Sequence, residues 1–168
     1  FYAEGVDGVF FADQLRGITE VTARIAAGRP YDDVPGGAFP AHGTGAFRLN
    51  PSQPLDPASL PIPKRVLMDA HPERYFYLYV DRCASIKTAL GCNERCNFCF
   101  CTQMHGGKLG LRPLDAVMDE LDTIQQRNVF ILDDNFLSSP KRMLDFCAAL
   151  RERGMQDRFA FIAYGQSS

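Results

Sequence analysis

Between residues 84 and 164 the hydrophobic pattern swings back and forth between the strand period and the helix period, and this alternation constrains the fold more than any other feature of the chain. "ASIKTA" (residues 84–89) reads as a strand, preceded by another strand candidate, "YFYLYV" (75–80), in which aromatic and aliphatic residues alternate. A helix is predicted from Pro113, a favoured first helical residue, with Leu114, Val117, Met118, Leu121 and Ile124 on one face. "VFILDDNF" follows, a continuous apolar run of the kind that forms a parallel strand buried on both faces. Ser139 is placed to cap the next helix, with Pro140 at its first position, Met143, Leu144, Cys147 and Leu150 on its inner face and Gly154 at its end. "FAFIAY" (159–164) is then a further buried strand. Strand and helix in alternation imply a parallel sheet, in which ligands bind at the carboxyl ends of the strands.

Upstream, "GVFFA" reads as a strand, followed by a helix with Leu15, Ile18, Thr22 and Ile25 at helical spacing and Gly28 as its stop. From residue 29 to 64 the texture changes, because eight of the eleven prolines fall there, and "PGGAFPAHGTGAFRLN" offers a short hairpin with Gly at the turn. A segment so dense in Pro and Gly reads as a linker or a surface excursion. The chain opens without Met and stops at Ser168 straight after a strand-like run, so a fragment of a longer protein is expected.

Composition narrows the function classes. At 168 residues and 46% hydrophobic content the chain can bury a core without disulfide staples. A net charge of −2 gives no electrostatic case for a nucleic-acid partner. No apolar run is long enough to span a membrane, and no signal peptide is evident.

Four of the six cysteines, Cys92, Cys96, Cys99 and Cys101, lie within "GCNERCNFCFC", on the loop that the alternation puts at a strand's carboxyl end. Thiols this close would close only tiny disulfide rings, so a metal is the better reading, and the cysteine usage fits a reducing compartment. The run lacks the spacing of a ferredoxin and the paired Cys-x2-Cys arms common in structural zinc sites. Three thiolates on one loop suit a 4Fe-4S cluster with one iron left open. A zinc knuckle, with Cys101 or His105 as fourth ligand, is the competing structural reading.

"CNERCNFC" resembles the CxxxCxxC signature of the radical S-adenosylmethionine (SAM) superfamily, with Phe98 at the aromatic position before the last cysteine. The surrounding phrases "IPKRVLMD" and "ILDDNFLSSPKRMLDFCAALRERG" resemble its cobalamin-dependent branch. The resemblance implies an α/β fold, a partial radical SAM barrel preceded by the tail of a Rossmann-like cobalamin-binding domain. Residues 1–28 would end that domain, 29–74 would be the linker and 75–168 the first half of the barrel. It implies that Cys92, Cys96 and Cys99 ligate the cluster, that Phe98 packs near the adenine, and that Asp133, Asp134 and Asn135 lie where relatives contact the SAM amino group. The implied cofactors are a 4Fe-4S cluster, S-adenosylmethionine and cobalamin; the Asp-x-His-x-x-Gly motif that supplies a lower histidine to cobalt is not in this chain. The implied activity is reductive cleavage of SAM serving methyl transfer to an unactivated carbon of a small-molecule substrate. The electron would come from a donor such as flavodoxin or ferredoxin, in the cytoplasm. A radical SAM enzyme without cobalamin, of methylthiotransferase or isomerase type, and a zinc-stabilised binding module are the alternatives.

Plainer roles stand beside these. Cys101 and Cys147 read as packed thiols and Cys83 as structural. Asp133 and Asp134 could be a solvated strand end, although the buried run before them turns one toward the barrel mouth. Gly106, Gly107 and Lys108 lack P-loop spacing and read as loop punctuation. His42, His71 and His105 read as surface or packing residues.

Overall fold

The computed structural model describes residues 5–10, 14–41, 46–53 and 55–166. These form two compact units, residues 1–55 and 56–168, so the division falls inside the Pro/Gly-rich segment.

In the first unit β1 (Val9–Phe10), β2 (Gly37–Pro40) and β3 (Phe47–Leu49) make a three-stranded antiparallel sheet. The hairpin expected around Phe39 is therefore present, while its turn, with His42, and residues 11 and 12 of "GVFFA" lie outside the described residues. Contrary to a plain linker, this segment builds a small core. Val34 and Phe39 are buried, and Phe39 meets Phe10 and Tyr31 edge-on at 5.8 and 5.9 Å. The Asn50 amide donates to the carbonyls of Asp32 and Val34 at 2.8 and 2.9 Å, which holds the loop over that core.

The helix α1 (Leu15–Ala26) forms as predicted, with Gly28 at φ +63 just beyond it. Its inward face is different from the expected one. Gly17 is buried against the Phe10 ring, where a Cβ would collide, and this close approach turns Ile18 and Ile25 outward, 50% and 57% exposed.

In the second unit β4 (Cys83–Ile86), β7 (Asn128–Ile131) and β8 (Ala160–Ala163) form a parallel sheet in the order β4-β7-β8. The short helix α2 (Val66–Ala70) precedes β4, and the helices α4 (Leu114–Asp122) and α5 (Pro140–Glu152) connect these strands in sequence. Ile86 lies beside Ile131, and Ala84 beside Val129. One face of this sheet meets the predicted stripe of Val117, Met118, Leu121 and Ile124, each completely buried. Phe146 and Leu150 of α5 complete the core. Among the described residues no helix is long and apolar enough to cross a membrane.

The start of α5 follows the sequence, with the Ser139 hydroxyl accepting from the Arg142 amide at 3.3 Å, whereas Pro113, expected as the first helical residue, sits just before α4, which begins at Leu114. Gly154, at φ +66, follows the end of α5. Three expectations need correction. First, residues 75–80 are not a strand: Tyr77 and Val80 exchange backbone hydrogen bonds at 3.0 and 2.9 Å around Leu78, which has φ +52. The aromatic alternation there serves to seat Tyr77 on Phe130, ring centroids 4.2 Å apart, while Phe76, Leu78 and Tyr79 stay exposed. Second, the inner face of α5 carries Phe146 in contact with Phe136 and Phe161, which rotates Leu144 and Cys147 out to solvent. Third, β8 is only half-buried, pairing with β7 on one side and with no other strand among the described residues.

Candidate functional site

The cysteines project from the carboxyl end of β4, but through an element that the sequence did not announce. After Ile86 the chain turns at Lys87 and Thr88 and enters β5 (Ala89–Gly91), which pairs antiparallel with β6 (Leu109–Leu111). Everything between, including all four clustered cysteines and the short helix α3 (Phe100–His105), forms a lobe closed at its neck by that pair. Gly91 has φ +78, and a Cβ there would run into the Lys108 carbonyl oxygen, so the entry to the lobe needs glycine.

Inside the lobe, Cys92 is buried and its sulfur accepts from the Glu94 amide at 3.4 Å. The Cys99 amide donates to the Cys96 carbonyl at 3.1 Å, curling the loop, and Thr102 of α3 donates to the Glu94 carbonyl at 3.2 Å. Gly106 at φ +61 and Gly107 at φ +67 end α3, which is punctuation as predicted. Cys96 and Cys99 are half-buried and Phe98 is 88% exposed. All six cysteines are free thiols.

The donor chemistry fits an iron–sulfur cluster: three unpaired thiols on one loop, two of them partly open to solvent. The loop does not gather them around a point. Among the described residues no three His, Cys, Asp or Glu side chains are placed to hold a metal ion.

Asp133, Asp134 and Asn135 lie beyond the carboxyl end of β7, beside the lobe, and they separate into three roles. The buried Asp133 accepts from the backbone amides of Thr88 and Ala89 at 2.6 and 3.0 Å and from the Thr88 hydroxyl. Burial pushes its pKa up, opposed by those same hydrogen bonds. Asp134 stands closer to the cysteines. Its Oδ1 accepts from the Cys101 thiol at 3.6 Å, and its Oδ2 lies 4.0 Å from Lys87 Nζ and 3.9 Å from His105 Nε2. Asp134 Oδ2 is buried and accepts no hydrogen bond from the described residues. Cys101 is half-buried, its pKa pushed up to about 11 by burial together with Cys99 and Asp134. Asn135 is buried, and its Oδ1 accepts from the Gln166 amide at 3.2 Å, tying the segment after β8 to the end of β7. The Gln166 side chain reaches the Cys96 sulfur at 3.9 Å.

Among the described residues, Cys83, Cys147 and His71 stay out of the site. Cys83 is buried in β4 with its pKa raised by burial, Cys147 is on the outside of α5, and His71 lies half-exposed 3.7 Å from Glu73.

Sequence reasoning missed Thr88, Gln166 and a buried charge cluster below the neck. Glu120 of α4 pairs with Arg112 at 2.6 Å and with Arg65, all three side chains at 7% exposure or less. A signal for it existed: Glu120 interrupts the apolar face of α4 between Met118 and Leu121, and a carboxylate at a core position needs partners.

No family model matches the chain. Hopanoid C-3 methylase of Methylococcus capsulatus is 26% identical over 98 residues, which are 58% of this chain and 19% of that protein. Among solved structures, the radical SAM methyltransferase TsrM from Kitasatospora setae, with cobalamin and a 4Fe-4S cluster bound, superposes with a TM-score of 0.66 at 21% identity over 94% of this chain and 33% of its own. The cobalamin-dependent SAM radical enzyme OxsB, without ligands, gives 0.68 at 14% identity over 98% of this chain and 24% of its own. The chain thus spans a third or less of each of these proteins. Its fold is similar to part of the TsrM and OxsB structures, and 98 of its residues are similar in sequence to hopanoid C-3 methylase.

Proposed function

We propose that this chain is part of a radical SAM enzyme in which Cys92, Cys96 and Cys99 hold a 4Fe-4S cluster, used for reductive cleavage of S-adenosylmethionine. The observation that carries the proposal is the position of the cysteine lobe, at the carboxyl end of β4 in a parallel sheet, beside the ends of β7 and β8. Such a cluster supplies a low-potential electron and an open iron for an exogenous ligand. The protein's own groups would do the rest. Phe98 offers an exposed aromatic face suited to an adenine ring. Asp134 Oδ2, without a hydrogen bond, suits an ammonium group. Asn135, through Gln166, closes one side of the mouth.

The reaction we infer is cobalamin-dependent methyl transfer to an unactivated carbon of a small molecule. It is supported by the methylase and methyltransferase names of the similar proteins, one of which, TsrM, was solved with a tryptophan substrate. Six free thiols suit a reducing compartment such as the cytoplasm, with flavodoxin or ferredoxin as electron donor.

Anaerobic reconstitution with iron and sulfide tests the proposal. About four irons and four sulfides per chain are expected for a 4Fe-4S cluster, lost in Cys92→Ala, Cys96→Ala and Cys99→Ala and kept in Cys101→Ala. Zinc uptake that also needs Cys101 would overturn it in favour of a structural knuckle.

A further inference from the structure

The neck of the cysteine lobe is gripped from both sides by charged side chains of opposite sign. Its amides are taken by Asp133, which accepts from Thr88 N, Ala89 N and the Thr88 hydroxyl. Its carbonyls are taken by arginines: Arg112 Nη1 donates to Lys87 O at 2.7 Å, and Arg65 Nη2 to Ser85 O at 3.0 Å. Glu120 pins both guanidinium groups. The Arg112 amide also donates to Thr88 O at 3.0 Å, so the strand leaving the lobe is tied to the corner that enters it. Hydrogen bonds to ionised partners are the stronger kind, and buried ones of this sort leave a corner little freedom.

We propose that Asp133 and Arg112 are positioning residues that clamp the neck of the lobe to the sheet edge and so set where Cys92, Cys96 and Cys99 stand, with Asp133 making no contact to SAM. The consequence for a cluster rests on the function proposed above; the clamp itself does not. Among the described residues Asp133 accepts from Thr88 N, Ala89 N and the Thr88 hydroxyl, and its carboxylate is buried, whereas the neighbouring Asp134 keeps an oxygen that accepts no hydrogen bond from them. The two acids therefore answer different substitutions. A clamp needs acceptor geometry, which Asn retains: its amide oxygen can still accept from Thr88 N and Ala89 N, and the Thr88 hydroxyl can turn to accept from the new NH2. Binding an ammonium group needs the charge.

The experiment compares Asp133→Asn, Asp133→Ala, Asp134→Asn, Thr88→Val and Thr88→Ser in the reconstituted chain, with Val129→Ala, which opens a cavity in the core, as a control of lowered stability. Iron release to a chelator is timed before SAM is added, and the SAM-induced spectral change is recorded afterwards. Amide exchange at Thr88 and Ala89 is measured in the cluster-free chain. The clamp predicts iron release about tenfold faster in Asp133→Ala, severalfold faster in Thr88→Val, and unchanged in Asp133→Asn, Thr88→Ser and Val129→Ala. Asp133→Asn keeps the SAM response, and Asp134→Asn loses it with its iron intact. If Asp133→Ala fails to fold, Thr88→Val against Thr88→Ser carries the comparison. A lost SAM response with unchanged iron release in Asp133→Asn overturns the proposal, as does undiminished exchange protection of Thr88 and Ala89 in Asp133→Ala or Thr88→Val. A wild-type chain that takes up no cluster refutes the proposed function instead and leaves the clamp to be judged by amide exchange.

Discussion

Glu120 receives Arg112 Nη1 at 2.6 Å where neither side chain is more than 4% exposed. Breaking a buried pair from one side strands the other charge, and here two arginines would be stranded, since Arg65 shares the same carboxylate. Glu120→Ala is expected to cost about 3–5 kcal/mol in urea unfolding, and Glu120→Gln, which keeps an acceptor, less. Equal unfolding midpoints for wild type and Glu120→Ala would show that the cluster contributes nothing net.

Gly91 makes the turn of the backbone into the lobe, at φ +78. Gly91→Ala is expected to lose at least about 1–2 kcal/mol from the left-handed conformation alone, with further loss from the collision against Lys108 O. The effect should centre on the lobe, so amide protection in β5 and β6 falls while that of β7 holds.

Asp133 makes stability depend on pH in an unusual direction for a carboxylate. Its folded pKa lies above its ordinary value of 3.8, so its contribution is fully present below that value and is lost as pH rises through the folded pKa. The stability difference between wild type and Asp133→Asn should therefore move against wild type as the pH is raised from 3.8 toward neutrality. A difference that moves toward wild type would mean that the hydrogen bonds from Thr88 and Ala89 outweigh burial.

Ser139 tests the local reading of α5. Losing its hydroxyl leaves the Arg142 amide without an acceptor, and Ser139→Ala is expected to cost ~1 kcal/mol.

What was legible in the sequence follows the range of the interactions. The face of α4 and the caps of α5 depend on residues three or four apart, and they appear where predicted. The cysteine lobe's place after a strand was equally plain from the alternation around residues 84–89. Long-range partners decided the rest. Nothing local distinguishes Cys147 from Phe146 as the inward residue until Phe136 and Phe161 are present to receive a ring. A Leu at φ +52 inside "YFYLYV" is likewise fixed by Tyr77 packing on Phe130, 53 positions away in sequence. The division of labour between Asp133 and Asp134 was hidden for the same cause: adjacent acids at a strand end look alike until Thr88 is seen to fill one of them.

Low-temperature electron paramagnetic resonance of the reconstituted, reduced chain tests whether three cysteines of this lobe hold an iron–sulfur cluster with an open iron. A 4Fe-4S signal is expected that changes on adding S-adenosylmethionine and that disappears in Cys92→Ala, Cys96→Ala or Cys99→Ala but not in Cys101→Ala. A signal indifferent to S-adenosylmethionine, or a silent protein carrying zinc on four ligands that include Cys101 or His105, would contradict it.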